Sequence, residues 1–273
     1  MSERALVFGS AAAAYEQHRL GYPGTVADLT LAYAAEPVER ALEVGAGTGK
    51  ATRLFAGRGI AVTACEPDPA MAAVLRATTT GLPVEVVVAT FEQLELPEPL
   101  PEPPPEPREH RERRAADPYD LLLSASAWHW TDPGSRWDRA AALLRPGGTV
   151  ALFGSGRQGS RLVDPVLQEA VAQVRRGRIP DETRATEARA ASGTWWPGSE
   201  LEAEARFVDV QEHDVARVVR RSRAEHLAVL GTLSAYLVLP EAERDALLAR
   251  IGERLPDEVD VDAAVRLHLA RRA

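Results

Sequence analysis

The sequence predicts an α/β fold: a seven-stranded, mostly parallel sheet covered by helices, closed at one edge by an antiparallel C-terminal hairpin and topped by a helical lid. Three observations predict it. From about residue 23 to 154, short β-branched runs alternate with helical stretches, the pattern of successive β-α units. A glycine turn, Gly45-Ala-Gly-Thr-Gly49, joins the first such run to the helix behind it. Past residue 154 the pattern changes to longer helical segments with two further strand-like runs embedded in them.

Taken in order, the first strand is Arg40-Ala-Leu-Glu-Val44, followed by the glycine turn and a helix over about 50–58. A second strand over 60–65 ends at Glu66-Pro-Asp-Pro69, where Asp68 suits a helix N-cap and Pro69 a first helical turn. That helix should run to about Arg76. Residues 84–88, rich in Val, read as a third strand buried on both faces. Strand four is Tyr119-Asp-Leu-Leu-Leu-Ser124, and strand five is Thr149-Val-Ala-Leu-Phe153, entered through the turn Pro146-Gly-Gly148. Later helices are expected near 163–176, 184–191 and 223–254, the last broken at Pro240. The runs 206–213 and 262–270 supply the last two strands, the final one inserting beside strand five.

This divides the chain into an N-terminal helical cap (1–36), a core (37–154) and a region of lid helices and closing strands (155–273). The core carries an insertion at 97–117. Seven prolines lie between Pro97 and Pro107, followed by Arg108-Glu-His-Arg-Glu-Arg-Arg114. Such a segment offers neither ladder donors nor an apolar face, so it is expected to be solvated and dispensable for the core.

Composition narrows the function. With 40 acidic and 32 basic residues the formal net charge is −8, which argues against a phosphate-backbone partner and hence against nucleic acid. No run approaches the ~18 apolar residues of a membrane span. The short apolar run over 5–14 contains Gly9 and Ser10 and continues into Tyr15-Glu-Gln-His-Arg19, so it reads as helix rather than a secretory leader. Cys65, the only cysteine, excludes an internal disulfide and fits a reducing, cytoplasmic setting. The six histidines are dispersed without an i, i+4 pair, so no metal is expected.

The glycine turn admits three nucleotide readings, which spacing separates. A P-loop needs four residues between its first Gly and the Gly-Lys pair, whereas Gly45 to Gly49 encloses three and Ala51 follows Lys50. A dinucleotide fingerprint wants Gly at position 50, where Lys stands. The remaining pattern is Gly-x-Gly-x-Gly with Glu43 just before it and Glu66 at the end of the next strand. A carboxylate there can accept from both hydroxyls of a ribose. Glu43 would offset a cation nearby. Met71 and Phe91 suit the walls of an adenine site or equally a core. A nicotinamide-dependent reductase remains an alternative because Glu66 could hold its ribose, although the Tyr-x3-Lys pair of the short-chain type is absent: Lys50 is the only lysine.

These residues are similar to the S-adenosylmethionine site of class I methyltransferases. Glu43-Val-Gly-Ala-Gly-Thr-Gly49 resembles the family's first motif, Glu66-Pro-Asp-Pro-Ala-Met71 its ribose-binding acid and following helix, and Ala89-Thr-Phe-Glu92 its adenine-side turn. Tyr119-Asp-Leu-Leu-Leu-Ser-Ala-Ser126 and Leu144-Arg-Pro-Gly-Gly148 follow in the family's order. Before them, Tyr15-x3-Arg19-x2-Tyr22-Pro23 looks like the N-terminal cap of the small-molecule branch that includes trans-aconitate and juvenile-hormone-acid methyltransferases, with Leu20 where that branch usually has Pro. The resemblance implies a Rossmann-like fold, S-adenosylmethionine as cofactor and a small-molecule methyl acceptor. It implies cofactor contacts from Tyr15, Arg19, Glu43, Gly45, Gly47, Thr48, Gly49, Glu66, Pro67, Met71, Thr90, Phe91 and Ser124. Strand four runs into Trp128-His-Trp130, placing His129 near the acceptor as a general base or a hydrogen-bonding group. Tyr22, Trp128, Trp130, Trp195 and Trp196 are candidate walls of the acceptor pocket. A methyltransferase-like fold that binds without catalysing is the further alternative.

Overall fold

The computed structural model describes residues 9–96, 117–155, 161–179 and 193–273. The proline-rich insertion at 97–117, apart from its last residue, and the helix expected near 184–191 lie outside the described residues. Two helices open the described chain, α1 (Ala12–His18) and α2 (Gly24–Tyr33). Then come β1 (Arg40–Val44), α3 (Lys50–Ala56), β2 (Ala61–Cys65), α4 (Pro69–Thr78), β3 (Val84–Val87), β4 (Tyr119–Ala125), α5 (Arg136–Leu143) and β5 (Leu144–Ser155). Asp68 caps α4 by accepting from the backbone N–H groups of Ala70 and Met71 at 2.8 and 3.1 Å, with Pro69 in the first turn. These are the cap and the proline that the sequence marks.

Seven strands form one sheet in the order β3-β2-β1-β4-β5-β10-β7, where β7 is Phe207–Val215 and β10 is Val265–Arg272. β1 to β5 pair in parallel, and β10 runs antiparallel between β5 and β7. The final strand therefore inserts beside strand five, as the sequence predicts. Side-chain alternation along β4 assigns the two faces. Leu121 and Leu123 join Val26, Phe55 and Leu75 under α2, α3 and α4, while Leu122 joins Trp137, Leu143 and Leu201 on the opposite side.

Two expectations are corrected. β3 is the edge of the sheet rather than a strand buried on both faces: none of its residues is buried, and Val88 just beyond it is 44% exposed. Its valines, interrupted by Glu85, cover the side of β2 instead of filling the centre. Second, the region beyond 155 holds more than lid helices and the two closing strands. Besides α6 (Pro165–Arg175) and helices at Gly198–Ala203, Arg223–Gly231, Ser234–Leu237 and Glu241–Gly252, it holds an antiparallel three-stranded sheet, β6 (Arg161–Leu162), β9 (Glu258–Asp262) and β8 (Val218–Ser222). Leu162, Val171, Leu230, Tyr236, Ile251 and Val261 form a separate apolar core beneath it. Among the described residues no helix is long and apolar enough to cross a membrane.

Candidate active site

One cleft opens at the carboxyl ends of β1, β2 and β4, where open α/β sheets present their ligand sites. The segment after α1 and the second sheet form its other walls. Gly45, Gly47 and Gly49 all have positive φ, at 70°, 59° and 88°. They divide by what surrounds them. A Cβ at Gly45 would meet the Ala127 Cβ at 2.4 Å and one at Gly49 the Leu75 side chain at 2.6 Å, so these two are fixed by packing. At Gly47 the nearest atom would be the Met71 Cε at 3.6 Å, and the added carbon would stand in the cleft.

Two carboxylates flank this turn. Glu66, buried at 6% exposure, accepts from the Gly47 N–H at 2.8 Å with one oxygen and from the Asp68 N–H at 2.9 Å with the other. Burial raises its pKa against the pull of those two bonds. Each oxygen keeps lone pairs for a further donor. Glu43 is fully buried and takes a 2.6 Å hydrogen bond from the Thr52 hydroxyl, while its Oε1 has no hydrogen-bond partner. Burial, reinforced by Glu66, pushes its pKa up to about 8.

The sign of this shift gives a prediction. A carboxyl whose folded pKa lies above its ordinary value stabilises the fold fully only below that ordinary value, and the contribution is lost as pH rises toward 8. Glu43→Gln keeps an acceptor for Thr52 and removes the titration. The variant should lose the wild-type decline in stability between about pH 5 and 8 and gain on the order of 2–3 kcal/mol at pH 7. Chemical denaturation across that range checks it; parallel profiles for both proteins would contradict it.

The N-terminal segment is tied down on both sides. Glu16 on α1 accepts from the Thr48 hydroxyl at 2.6 Å, pairs with Arg53 at 2.8 Å and with Lys50 at 3.2 Å, locking the segment to the glycine turn. Arg19 donates to the Thr232 hydroxyl at 2.8 Å with its guanidinium over the Tyr15 ring, and Arg217 donates to the Gly21 carbonyl at 2.9 Å. Tyr22 and Ser126 share a 3.1 Å hydrogen bond across the cleft, and Ser126 has a φ of 58°. A positive φ at a non-glycine residue is uncommon and concentrates at functional sites.

Of the residues singled out in the sequence, Tyr15, Arg19, Tyr22, Glu43, Gly45, Gly47, Thr48, Glu66, Pro67, Met71, Thr90, Phe91, His129 and Trp130 line this cleft together. Five lie apart from its lining. Gly49 begins α3. The Ser124 hydroxyl donates to the Val44 carbonyl at 2.9 Å inside the sheet. Trp128 is buried between Phe91 and Trp137, with ring centroids at 5.6 and 5.0 Å. Trp196 donates to Glu200 at 2.9 Å, beside the Arg136 and Trp137 bonds to the same carboxylate. Trp195 stacks under Arg266 at 4.8 Å. Sequence reasoning missed Glu16, Lys50, Ser126, Arg217 and Arg221, the last four of which line the cleft.

His129 lines the cleft with its ring centroid 4.5 Å from that of Trp130. Crowding, reinforced by Arg136, lowers its pKa to about 4. His129 is an exposed residue, and the direction of the shift leaves a neutral imidazole near pH 7. Among the described residues no three His, Cys, Asp or Glu side chains stand close enough to hold a metal ion.

Residues 42–150 match a family model described as a methyltransferase domain. An uncharacterised methyltransferase of Mycobacterium bovis is 37% identical over 156 residues, which cover 57% of this chain and 54% of that protein. Counterparts in two Mycobacterium tuberculosis strains match to the same extent, so the alignment spans about half the length of these relatives. Among solved structures, a candidate type II methyltransferase from Anaeromyxobacter dehalogenans shares the fold at a TM-score of 0.58 and 21% identity, over 93% of this chain and 96% of that one. The Bacillus subtilis protein YcgJ does so at 0.54 and 17%, over 92% and 99%. The glycine turn with its two flanking acids, the sheet order and these matches agree: residues 42–150 resemble a methyltransferase domain and sit on the α/β fold that the solved structures share.

Proposed function

We propose that this protein transfers a methyl group from S-adenosylmethionine to a small-molecule acceptor. The observation that carries the reading is the pairing of Glu43 and Glu66 at the ends of adjacent parallel strands, on either side of a glycine turn open to one cleft. The donor and acceptor chemistry fits the cofactor. Glu66 has lone pairs left for two ribose hydroxyls, Met71 and Phe91 offer apolar walls to an adenine, and a cationic amino-acid end beside the unpartnered Glu43 Oε1 would favour loss of the proton that burial otherwise keeps on that carboxyl. Pro67 and Thr90 border the adenosine side, and Tyr15, Arg19 and Thr48 border the methionyl end. Gly49 and Ser124 support that site from within the fold.

The cofactor supplies an electrophilic methyl on a sulfonium, and the protein's task is alignment and exclusion of water. Tyr22, Ser126, Trp130 and His129 border the acceptor space. A neutral imidazole with a lowered pKa is a weak base but a serviceable hydrogen-bonding group. His129→Ala should therefore raise the acceptor KM roughly tenfold while leaving kcat within about threefold. A fall in kcat of about 10²–10⁴-fold would instead make His129 the general base.

The first test is calorimetry of the full chain with S-adenosylmethionine, S-adenosylhomocysteine and NADP. Binding of the first two alone supports the reading, and preference for NADP overturns it.

A further inference from the structure

Glu16 lies outside the matched residues 42–150, yet its carboxylate is held by the glycine turn and the helix behind it. One oxygen accepts from the Thr48 hydroxyl at 2.6 Å and pairs with the Lys50 Nζ at 3.2 Å, and the other pairs with Arg53 at 2.8 Å. Lys50 also donates to the Glu16 carbonyl at 2.8 Å. Burial works to raise the Glu16 pKa, but the Thr48 bond and the two cations bring it below the ordinary carboxylate value, so the group is charged near pH 7. The far end of the same segment is tied elsewhere. Arg19 donates to the Thr232 hydroxyl and carbonyl at 2.8 and 3.3 Å, Gly21 accepts from Arg217 at 2.9 Å, and Tyr22 shares its bond with Ser126. Residues 16–21 therefore bridge the glycine turn and the C-terminal region that carries the second sheet, and both of those parts line the one cleft. What holds the near end is polar. Ala12 alone is buried along α1, and the Glu16 and Lys50 side chains keep 25% and 10% exposure. Ion pairs that water can reach are individually weak, so such an attachment opens at far lower cost than a packed core.

We infer that Glu16 is a positioning residue: acting through Thr48 and Lys50, it latches residues 12–22 to the glycine turn, and a ligand enters or leaves the cleft when this carboxylate lets go. The inference rests on the proposed function for the identity of that ligand, whereas the latch stands on the contacts themselves. Two observations place the opening at the Glu16 end. Thr232, which anchors Arg19, is buried at 2% exposure, while Glu16 meets water. Tyr15, the neighbour of Glu16, and Thr48, its partner, both line the cleft, so release of the carboxylate frees the cleft wall on both sides of the break. Glu16 itself is absent from the lining, so its removal acts on the passage of a ligand and not on a contact with it. Motions of this kind set exchange rates in many enzymes.

The test opens the latch in one protein and seals it in another, with S-adenosylhomocysteine as the probe and stopped-flow tryptophan fluorescence of the full chain as the readout. Glu16→Ala should release the probe at least about tenfold faster without slowing its uptake, and Glu16→Gln should fall between because it keeps an acceptor for Thr48 without the charge. Sealing uses the fact that Lys50 is the only lysine. A carbodiimide joins the Glu16 carboxyl carbon to the Lys50 Nζ as an amide, taking up the water that is lost, and peptide mass spectrometry identifies the link. Cross-linked wild type should take up and release the probe at least about a hundredfold more slowly, whereas Glu16→Gln, treated identically, should exchange as it did before treatment. A residue that only stabilised the fold would leave exchange through the sealed protein unchanged. Unchanged exchange after cross-linking, or unchanged release from a folded Glu16→Ala, overturns the inference, and so does failure of the link to form. Should Glu16→Ala not fold, the cross-link on wild type carries the comparison. If wild type binds no S-adenosylhomocysteine, the methyltransferase reading fails, while the yield of the Glu16–Lys50 link still decides whether the latch exists.

Discussion

Gly47→Val should abolish binding of S-adenosylmethionine and S-adenosylhomocysteine while leaving a folded protein. Gly47 has a φ of 59°, where a β-branched residue costs about 1–2 kcal/mol. That strain alone is survivable. What distinguishes this glycine is that its missing side chain faces the cleft and not the core: the nearest protein atom to an added Cβ is 3.6 Å away. Overpacking costs about 1–3 kcal/mol even where neighbours can shift, and a ligand held against the backbone here has no room to do so, so at least about a hundredfold loss of affinity follows. Gly45→Val is the control, because its side chain would collide with Ala127 and should lower the melting temperature far more. Calorimetry and thermal melting on both variants separate the two effects. Retained affinity in a folded Gly47→Val would show that the turn does not approach the ligand.

The different fates of these glycines show how far the sequence could be read. Their spacing, with an acid before and an acid one strand later, is a local pattern, and so are the Asp68 cap and Pro69; local patterns survive folding because the backbone alone enforces them. The insertion of the last strand was legible for a related reason, since an apolar run following a helical excursion needs a partner. Residues whose role depends on what folds against them were not legible. Trp195 and Trp196 look like pocket walls, yet one stacks under Arg266 and the other donates to Glu200. Glu258-Val-Asp-Val-Asp262 alternates strictly and could have announced β9, but its charges and the helix before it masked the signal. Arg221 was hidden most completely. Val-Val-Arg-Arg-Ser reads as a solvated run, and only pairing with β9 sends Arg220 outward to Asp260 at 2.9 Å and Arg221 inward. A strand's period of two decides which arginine is buried, and the register is a tertiary fact.

The second large effect is expected at Glu66, where the structure adds a term that the motif does not contain. If its carboxylate accepts two ribose hydroxyls, Glu66→Ala removes two charge-assisted hydrogen bonds and should weaken cofactor binding by about 2–4 kcal/mol. The same carboxylate also holds the Gly47 and Asp68 N–H groups. Without it two poorly solvated donors lose their acceptor, so the variant should also melt lower, by roughly 1–3 kcal/mol of stability. A fall in affinity could then come from a displaced glycine turn and not from lost ribose contacts. A double-mutant cycle on the ligand separates the two causes. S-adenosylhomocysteine and its 2′,3′-dideoxy analogue are titrated into wild type and Glu66→Ala. If Glu66 binds the ribose, removing the hydroxyls from a ligand that no longer meets the carboxylate costs little, and the two losses are strongly non-additive. If Glu66 only shapes the turn, the losses add, the ribose role passes to another residue, and the 2.8 Å bond to Gly47 becomes the whole of its contribution.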